Sequence, residues 1–481
     1  MYELYPYFTN DGTVGLFSCV ENDIYHSTYG ALSESWSKFI IPSHFEDYLA
    51  THDEVKILDI CYGIGYNTKT ALNVFVKNYF KNKKNKKKLN SKQHRLMHSS
   101  IAAIDTNNAG AGEVEKFYNK DVVFFKKILQ KILLRFKSAP SCIVAIGGDN
   151  IQDARAEEIC KNCNKILIDA VDSDNILIDI SPFIIKEQKF NFGFALKKNY
   201  NNYLSTTNIK YQQINTIRKP TKKINKKFKL KEETLIIILQ KLFEQNSEFF
   251  DDPNLQQILT AKKYSPFFSK YMLNFAKFYQ NRRYYLSKKQ NKSTFLHNIY
   301  YRYLSKSYKN TNDLLLNTQI ELNLHKNDAR TFIKTNLSKY NFIFLDAFTP
   351  AKSPTLWTVQ FFKELHASLE DGGMILTYSN SAAIRNAFLQ NGFYVGKIYD
   401  ENLKKFTGTV AVKNEYLIEH KLSDYDLDLI GSKAGVCFQD ENLESDSHTI
   451  IKNREKETES SNLVSSSKIV KGYKKNHAKE L

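Results

Sequence analysis

No stretch of this chain is apolar for long enough to cross a membrane as a helix. No membrane partner is expected. Cysteine is sparse, six in 481 residues. With no secretory leader at the start, so few thiols predict a reducing, cytoplasmic setting rather than a disulfide scaffold. Cys160 and Cys163 alone have the spacing of a metal pair. A zinc site needs four ligands, and Cys142, His94 and His98 do not supply a second pair at the usual spacing, so no metal is expected. Acidic residues are also short: 51 Asp and Glu stand against 69 Lys and Arg, a net charge of +18. That balance suits a polyanionic partner held through phosphate contacts. Low-GC coding bias enriches Lys and Asn in the same way, so the charge alone is a modest argument.

What the chain does have is 42% hydrophobic residues, enough for one or two cores. Phe342 to Leu345 reads as a buried strand, and it ends on Asp346-Ala347-Phe348-Thr349-Pro350. An acid at the carboxyl end of a strand sits where open α/β sheets place ligands. Pro350 fixes its own φ and stiffens the turn. A carboxylate held in such a turn can bind an amine and take its proton, although an Asp here can also simply cap the turn.

A second strand, Val55 to Ile60, carries Asp59 and runs into Cys61-Tyr62-Gly63-Ile64-Gly65-Tyr66-Asn67. A helical pattern follows through Ala71, Leu72 and Phe75. Strand, glycine turn and helix open a nucleotide-binding sheet. The third glycine of the dinucleotide fingerprint is missing. Paired with the acid-aromatic-proline turn, this loop points to S-adenosyl-L-methionine. Further strands are expected at Gly373–Tyr378, Gly392–Tyr399 and Phe406–Val412, the last two as an antiparallel edge hairpin. Helices are expected from Pro354 towards Glu370 and from Ser381 to Asn391, with Gly392 as the stop. The class is therefore α/β with a mostly parallel, Rossmann-like sheet.

Taken together, the blocks resemble the methyltransferase domain of the bifunctional tRNA 5-methylaminomethyl-2-thiouridine biosynthesis proteins. They are Thr9–Thr13, Tyr25–Ser27, Gly30–Glu34, Asp59–Asn67, Asn327–Arg330, Leu345–Trp357, and Thr377–Ser381 with Ile384-Arg385. The likeness covers residues 1–76 and 320–440. Asn327 stands where that family has glycine, and Ala347 and Thr349 depart mildly from its pattern. No flavin-dependent oxidoreductase domain follows, so a stand-alone transferase is expected.

The resemblance implies a class I S-adenosyl-L-methionine-dependent N-methyltransferase acting on the aminomethyl group of a wobble uridine in the anticodon region of tRNA. The substrate would come from upstream wobble-uridine modification enzymes. Asp346 is the expected base, with Phe348 and Pro350 shaping the wall. Asp59, Tyr62, Gly63, Gly65 and Asn67 form the expected cofactor loop. Tyr25, His26 and Gly30 would line the cofactor pocket, and Asp328 would meet the adenine amine. The ribose acid ends the second strand, either Asp105 after Ser100–Ile104 or Asp172 after Ile166–Val171, with Asp172 preferred.

The expected organisation is a lead-in at 1–50 and a Rossmann-like core at 51–76 and 320–438. A Lys/Asn-rich, mainly helical insertion spans 77–319 and holds the second-strand region, and a polar, disordered tail spans 439–481. Within the insertion, Lys77 to Gln93 reads as a solvated linker. Thr234–Phe243, Gln256–Phe268 and Lys270–Tyr285 read as helices. His297 to Lys306 interleaves Tyr with basic residues. It reads as a helix packing its rings, although the same mix could stack on bases. Two other classes compete: another amine-directed transferase of this fold, either aminopropyltransferase-like or acting on protein, and a non-catalytic RNA-binding protein. Oligomeric state is not legible.

Overall fold

The computed structural model describes residues 4–18, 23–26, 29–104, 163–184, 229–246, 248–261, 264–287 and 294–477. The chain divides into two units, residues 1–78 with 162–481, and residues 79–161. The first unit holds the sheet. It begins with a small antiparallel sheet of β1 (Leu4–Phe8), β2 (Val14–Ser18) and β3 (Asp23–Ile24). Asp11 ties the turn after β1 together, accepting from the Thr13 amide at 2.9 Å and from the Ser33 hydroxyl at 2.8 Å. Gly30 has φ 147°, and a Cβ there would sit 2.2 Å from an Asp11 oxygen, so only glycine lets the chain close on that carboxylate. Helices α1 (Ala31–Ser35) and α2 (Phe45–Thr51) follow, joined by a π-helical turn at Trp36–Ile40.

The main sheet has seven strands: β4 (Glu54–Ile60), β5 (Lys165–Asp172), β6 (Gln319–Lys326), β7 (Tyr340–Leu345), β8 (Leu369–Thr377), β9 (Tyr394–Asp400) and β10 (Lys405–Val412). Their spatial order is β6-β5-β4-β7-β8-β10-β9. The first five pair in parallel, and β10 runs antiparallel to both β8 and β9. From β4 the chain steps outward to β5 and β6, then returns to β7 on the other side. The crevice at this reversal is where open α/β sheets bind ligands. The expected hairpin exists, with β10 inside the sheet and β9 at its edge.

Register places the loops. Ile60 pairs with Val171 on one side and with Leu345 on the other. Cys61, Asp172 and Asp346 therefore leave the sheet side by side at one end. The interior positions of β4 and β7, such as Ile57, Leu58, Ile343 and Phe344, are fully buried, as both-sided burial of parallel strands requires. On one face Phe39 and Phe45 of the lead-in pack on Phe344 and Phe342, with ring centroids 5.3 and 5.6 Å apart. Part of the lead-in thus covers the sheet.

Between strands run α3 (Tyr66–Ile104), α4 (Asn175–Ile180), α5 (Glu232–Gln245), α6 (Pro253–Thr260), α7 (Lys270–Ser287) and α8 (Thr294–Asn317). Later come α9 (Ala329–Thr335), α10 (Val359–Ser368), α11 (Ala382–Gln390) and α12 (Asp424–Ile430). Phe362 of α10 and Phe388 of α11 stack at 4.0 Å over the second face. The expected Gln256–Phe268 helix is broken after Thr260 and resumes only as a short 3-10 turn at Ser265–Phe267. The His297 to Lys306 stripe lies within α8.

Three expectations are corrected. Lys77 to Gln93 is helical, not a linker, because no glycine or proline interrupts Tyr66–Ile104 and lysine favours helix. The same helix takes in Ser100–Ile104, so that run is no second strand, and β5 is the neighbour of β4. Asp105 lies outside the described residues. The tail is not disordered up to His477: it forms α13 (Ser447–Ser460) and α14 (Ser466–His477). Asp446 caps α13, accepting from the Thr449 amide at 2.9 Å. Ile450 is wholly buried in the α10–α11 cluster, and Arg454 lies over the Phe438 ring at 4.6 Å. One apolar anchor and one stacked guanidinium dock a helix whose composition reads as solvent.

Candidate active site

At the carboxyl ends of β4, β5 and β7 lies a cavity of about 470 Å³. Of the residues expected from sequence, Tyr25, His26, Tyr62, Gly63, Asn67, Asp172, Asp328, Asp346 and Phe348 line it. Asp59, Gly65, Gly30 and Pro350 are not part of its wall. Each of the first three has a supporting task instead. Asp59 is fully buried under the loop and accepts from the Thr68 amide at 3.0 Å and its hydroxyl at 2.6 Å, capping α3. Gly65 has φ 75°, and a Cβ there would meet the Tyr62 ring at 2.3 Å. Gly30 closes on Asp11. Pro350 belongs to the turn beyond the wall.

Gly63 differs from Gly65. Its φ is 55°, and the nearest atoms to an added Cβ are Cys61 O at 3.9 Å and Tyr25 Cδ1 at 4.0 Å. The space beside it belongs to the cavity. Its amide donates to Asp172 Oδ2 at 2.7 Å, while the Asp174 amide donates to Oδ1 at 2.8 Å. Burial nonetheless raises the Asp172 carboxyl to about 6. Asp328 caps α9 through the Arg330 amide at 2.8 Å and pairs with the Arg330 guanidinium at 2.9 Å.

Asp346 stands opposite. Asn67 Nδ2 donates to its Oδ2 at 3.0 Å. Burial raises its carboxyl to about 6; nearby Lys38 and the Asn67 bond pull it down, and Glu34 pushes it up. A carboxylate near 6 is a stronger base than an ordinary aspartate, yet is mostly ionised at neutral pH. Asn67, expected to hold the cofactor, is thus also the residue that orients the acid. Phe348 and Tyr25 form an aromatic wall, ring centroids 5.0 Å apart. The Trp357 indole and the Tyr378 hydroxyl hold this turn, donating to the carbonyls of Phe348 at 2.8 Å and Ala347 at 2.7 Å. His26 sits edge-on to Tyr66 at 5.0 Å. Burial lowers its imidazole to about 4, so the ring is neutral at pH 7. Its Nε2 is buried and has no partner among the described residues.

Glu34 and Asp23 also line the cavity and were not singled out from sequence. Glu34 closes the Gly30–Glu34 block, which was its signal; Asp23 had none. Among the described residues, six carboxylates face this space, from Asp23, Glu34, Asp172, Asp174, Asp328 and Asp346, and no Lys or Arg lines it. Two are paired from the rim: Lys352 with Asp23 at 3.0 Å and Lys38 with Glu34 at 3.1 Å. An acid-lined recess with a glycine-bared strip of backbone fits a ligand that carries positive charge and hydroxyls. Among the described residues no group of three His, Cys, Asp or Glu could hold a metal ion, and no helix is long and apolar enough to cross a membrane. Cys163 is buried, its thiol donating to the Lys165 carbonyl at 3.1 Å, and Cys160 lies outside the described residues.

Residues 290–414 match the model of a family described as S-adenosyl-L-methionine-dependent methyltransferases. An uncharacterized protein of Methanocaldococcus jannaschii is 34% identical over 140 residues, 29% of this chain and 39% of that protein. The tRNA 5-methylaminomethyl-2-thiouridine biosynthesis bifunctional protein of Ralstonia nicotianae is 33% identical over 79 residues, 16% of this chain and 12% of its own length. The crystal structure of MNMC2 from Aquifex aeolicus aligns over 95% of this chain and 86% of that one, at 16% identity and a TM-score of 0.46. That likeness is too weak to add to what the sheet itself shows. Strand order, parallel core and antiparallel end make this an α/β fold of the class I S-adenosyl-L-methionine-dependent methyltransferase type. The chain contains a methyltransferase domain related in sequence to the bifunctional tRNA-modifying proteins. The matches span well under half of each of those two relatives' lengths.

Proposed function

We propose that this chain is a cytoplasmic S-adenosyl-L-methionine-dependent N-methyltransferase whose substrate is the primary amine of an aminomethyl group on a wobble uridine in tRNA. The observation that carries the reading is Asp346: a carboxylate raised to about 6, held by Asn67 and flanked by Phe348, in an acid-lined cavity at the switch point of the sheet. The cofactor fits the residues present. Asp172 offers carboxylate lone pairs for ribose hydroxyls and Asp328 an acceptor for an adenine amine, and Gly63 leaves room for a ligand against the backbone. Bound there, S-adenosyl-L-methionine supplies an electrophilic methyl group. Asn67 holds one oxygen of Asp346, and the other takes the proton of the incoming ammonium so that the amine is neutral when it reacts. Tyr25 and Phe348 wall off water beside the nitrogen. Alignment and desolvation provide most of the rate.

The test is methyl transfer from labelled cofactor to tRNA bearing aminomethyl-uridine, with unmodified tRNA as control, read by nucleoside mass spectrometry. Methylation of the aminomethyl nucleoside is expected; no transfer to it would overturn the reading. A second reading draws on the same acidic wall: six carboxylates also suit a small polyamine acceptor. Salt separates the two. An RNA substrate met through phosphates loses affinity linearly on a log–log plot as salt rises. A small amine inside the cavity would show a shallow dependence.

A further inference from the structure

A second recess, of about 390 Å³, opens next to the cavity and shares Glu34 with it. Its floor is made by the β9–β10 hairpin. Asp400 ends β9 and is 2% exposed. Its Oδ1 accepts from the amides of Asn402 at 2.9 Å and Leu403 at 3.1 Å, which shapes the hairpin turn. Its Oδ2 is buried and has no partner among the described residues. Thr407 falls at a bulge, because Phe406 pairs with Tyr399 but Gly408 pairs with Ile398. Such bulges re-aim a side chain, often beside a binding site. Thr407 is 9% exposed, and its hydroxyl is also buried without a partner. Two orphaned polar groups in one recess cost stability unless something satisfies them. Around them stand the half-exposed ring of Phe406 and the side chains of Lys38 and Lys405.

We propose that this recess receives a second nucleobase of the substrate RNA, one that carries an exocyclic amine. The idea rests on the RNA reading given above and deepens it. The amine donates to Asp400 Oδ2, the Thr407 hydroxyl meets the neighbouring ring atom, Phe406 packs on the base, and the two lysines face the phosphates. A carboxylate only accepts, so it favours an exocyclic amine, which offers two N–H groups, over uracil, whose edge offers a single N–H set between two carbonyls. Glu34 lines both this recess and the cavity proposed to take the target nucleotide.

The experiment uses the full chain and two labelled RNA stem-loops with aminomethyl-uridine in the loop, the other loop bases being all adenine or all uracil. Binding is followed by fluorescence anisotropy and methyl transfer in parallel. Wild type should bind the adenine loop about tenfold more tightly, one charge-assisted hydrogen bond. Asp400→Asn keeps the oxygen that shapes the turn and puts an amide N–H in place of Oδ2, so the order should reverse in favour of uracil. Thr407→Val, a change of similar volume, should weaken binding of the adenine loop. An Asp400→Asn protein with the wild-type order, or a wild type that binds neither loop, overturns the recess. Loop preference of the expected kind without methyl transfer to either RNA would overturn the reaction and leave the recess standing.

Discussion

Replacing Asp346 with asparagine should separate catalysis from stability. The change keeps the shape of the side chain and an oxygen for Asn67 Nδ2, now at 3.0 Å, but removes the capacity to take a proton. A positioned base contributes roughly 10² to 10⁴ in rate, so turnover should fall by that factor with cofactor affinity little changed. In wild type the rate should rise with pH through a limb near 6, the raised value of this carboxyl; in Asp346→Asn that limb should vanish. Stability should move the other way. A carboxyl raised from 3.8 to about 6 binds its proton more tightly in the folded chain than in the unfolded one. Its ionised form therefore destabilises the fold at all pH values above about 6, and the penalty disappears below 3.8. Two units correspond to about 3 kcal/mol at neutral pH. That is an upper bound, because Asp346 is partly open to the cavity and water there screens it. Asp346→Asn should thus unfold at higher urea than wild type at pH 7.5, and the gain should shrink towards zero at pH 4. Single-turnover methyl transfer and urea titrations across pH measure the two halves. Near-wild-type turnover, or a stability difference that does not change with pH, would show that Asp346 shapes the turn and does no proton chemistry.

Three further outcomes are expected. Asn67→Ala removes a bond that holds the Asp346 carboxyl down, so the acid limb of the rate profile should move above 6 with KM for the cofactor affected less than the limb; an unmoved limb would detach Asn67 from Asp346. Gly63→Val fills cavity space and strains a residue at φ 55°; calorimetry should find S-adenosyl-L-methionine binding lost while the circular dichroism spectrum is kept, and unchanged affinity would remove the loop from the cofactor site. Ile450→Ala should destabilise the chain by about 2 to 4 kcal/mol, as for a buried aliphatic truncated in a packed core, and no change in the unfolding midpoint would mean that α13 is not docked.

How much of this was legible depended on where the signal was local. The β4 and β7 strands announced themselves as short apolar runs ending in an acid, and the parallel sheet then dictated that Asp172 and Asp346 emerge beside the Gly63 loop. The glycines were legible as glycines but not by role. Gly63 opens onto the cavity, whereas Gly65 makes room for Tyr62 and Gly30 for Asp11, and only the packing of distant residues tells these apart. The second strand was ambiguous because Ser100–Ile104 and Ile166–Val171 have similar composition; the choice was made by pairing with β4 over a gap of more than a hundred residues. The tail misled for the opposite reason. Its charge and serine content describe the solvent face of α13, and one buried Ile450 with one stacked Arg454 makes no periodic pattern to reveal the docking.

The distribution of charge gives the chain its division of labour. With a net charge of +18, the protein would be expected to line this cavity with lysine if the cavity were built for phosphate. Instead, among the described residues, the wall holds six carboxylates and no Lys or Arg, and Lys38 and Lys352 pair with Glu34 and Asp23 from the rim. A wall of this kind repels phosphate and attracts ammonium and sulfonium. A polyanion can therefore present only a base and its amine to the interior, while its backbone stays outside with the lysines. The acids of the wall also act on a neighbour behind it: Asp59, buried beneath the loop and outside the wall, lies near 7, raised mainly by burial, with Asp346 and Asp172 adding to it against the Thr68 bonds. Repulsion among like charges in a low-dielectric recess is relieved when a cation enters. A cationic ligand should consequently bind more tightly as pH rises through 6 to 7 and these carboxyls ionise. Titration calorimetry of S-adenosyl-L-methionine between pH 5.5 and 8 in buffers of different ionisation enthalpy should record proton release on binding at the acid end. Binding without proton exchange over that range would mean that the carboxylates do not meet the ligand's charge.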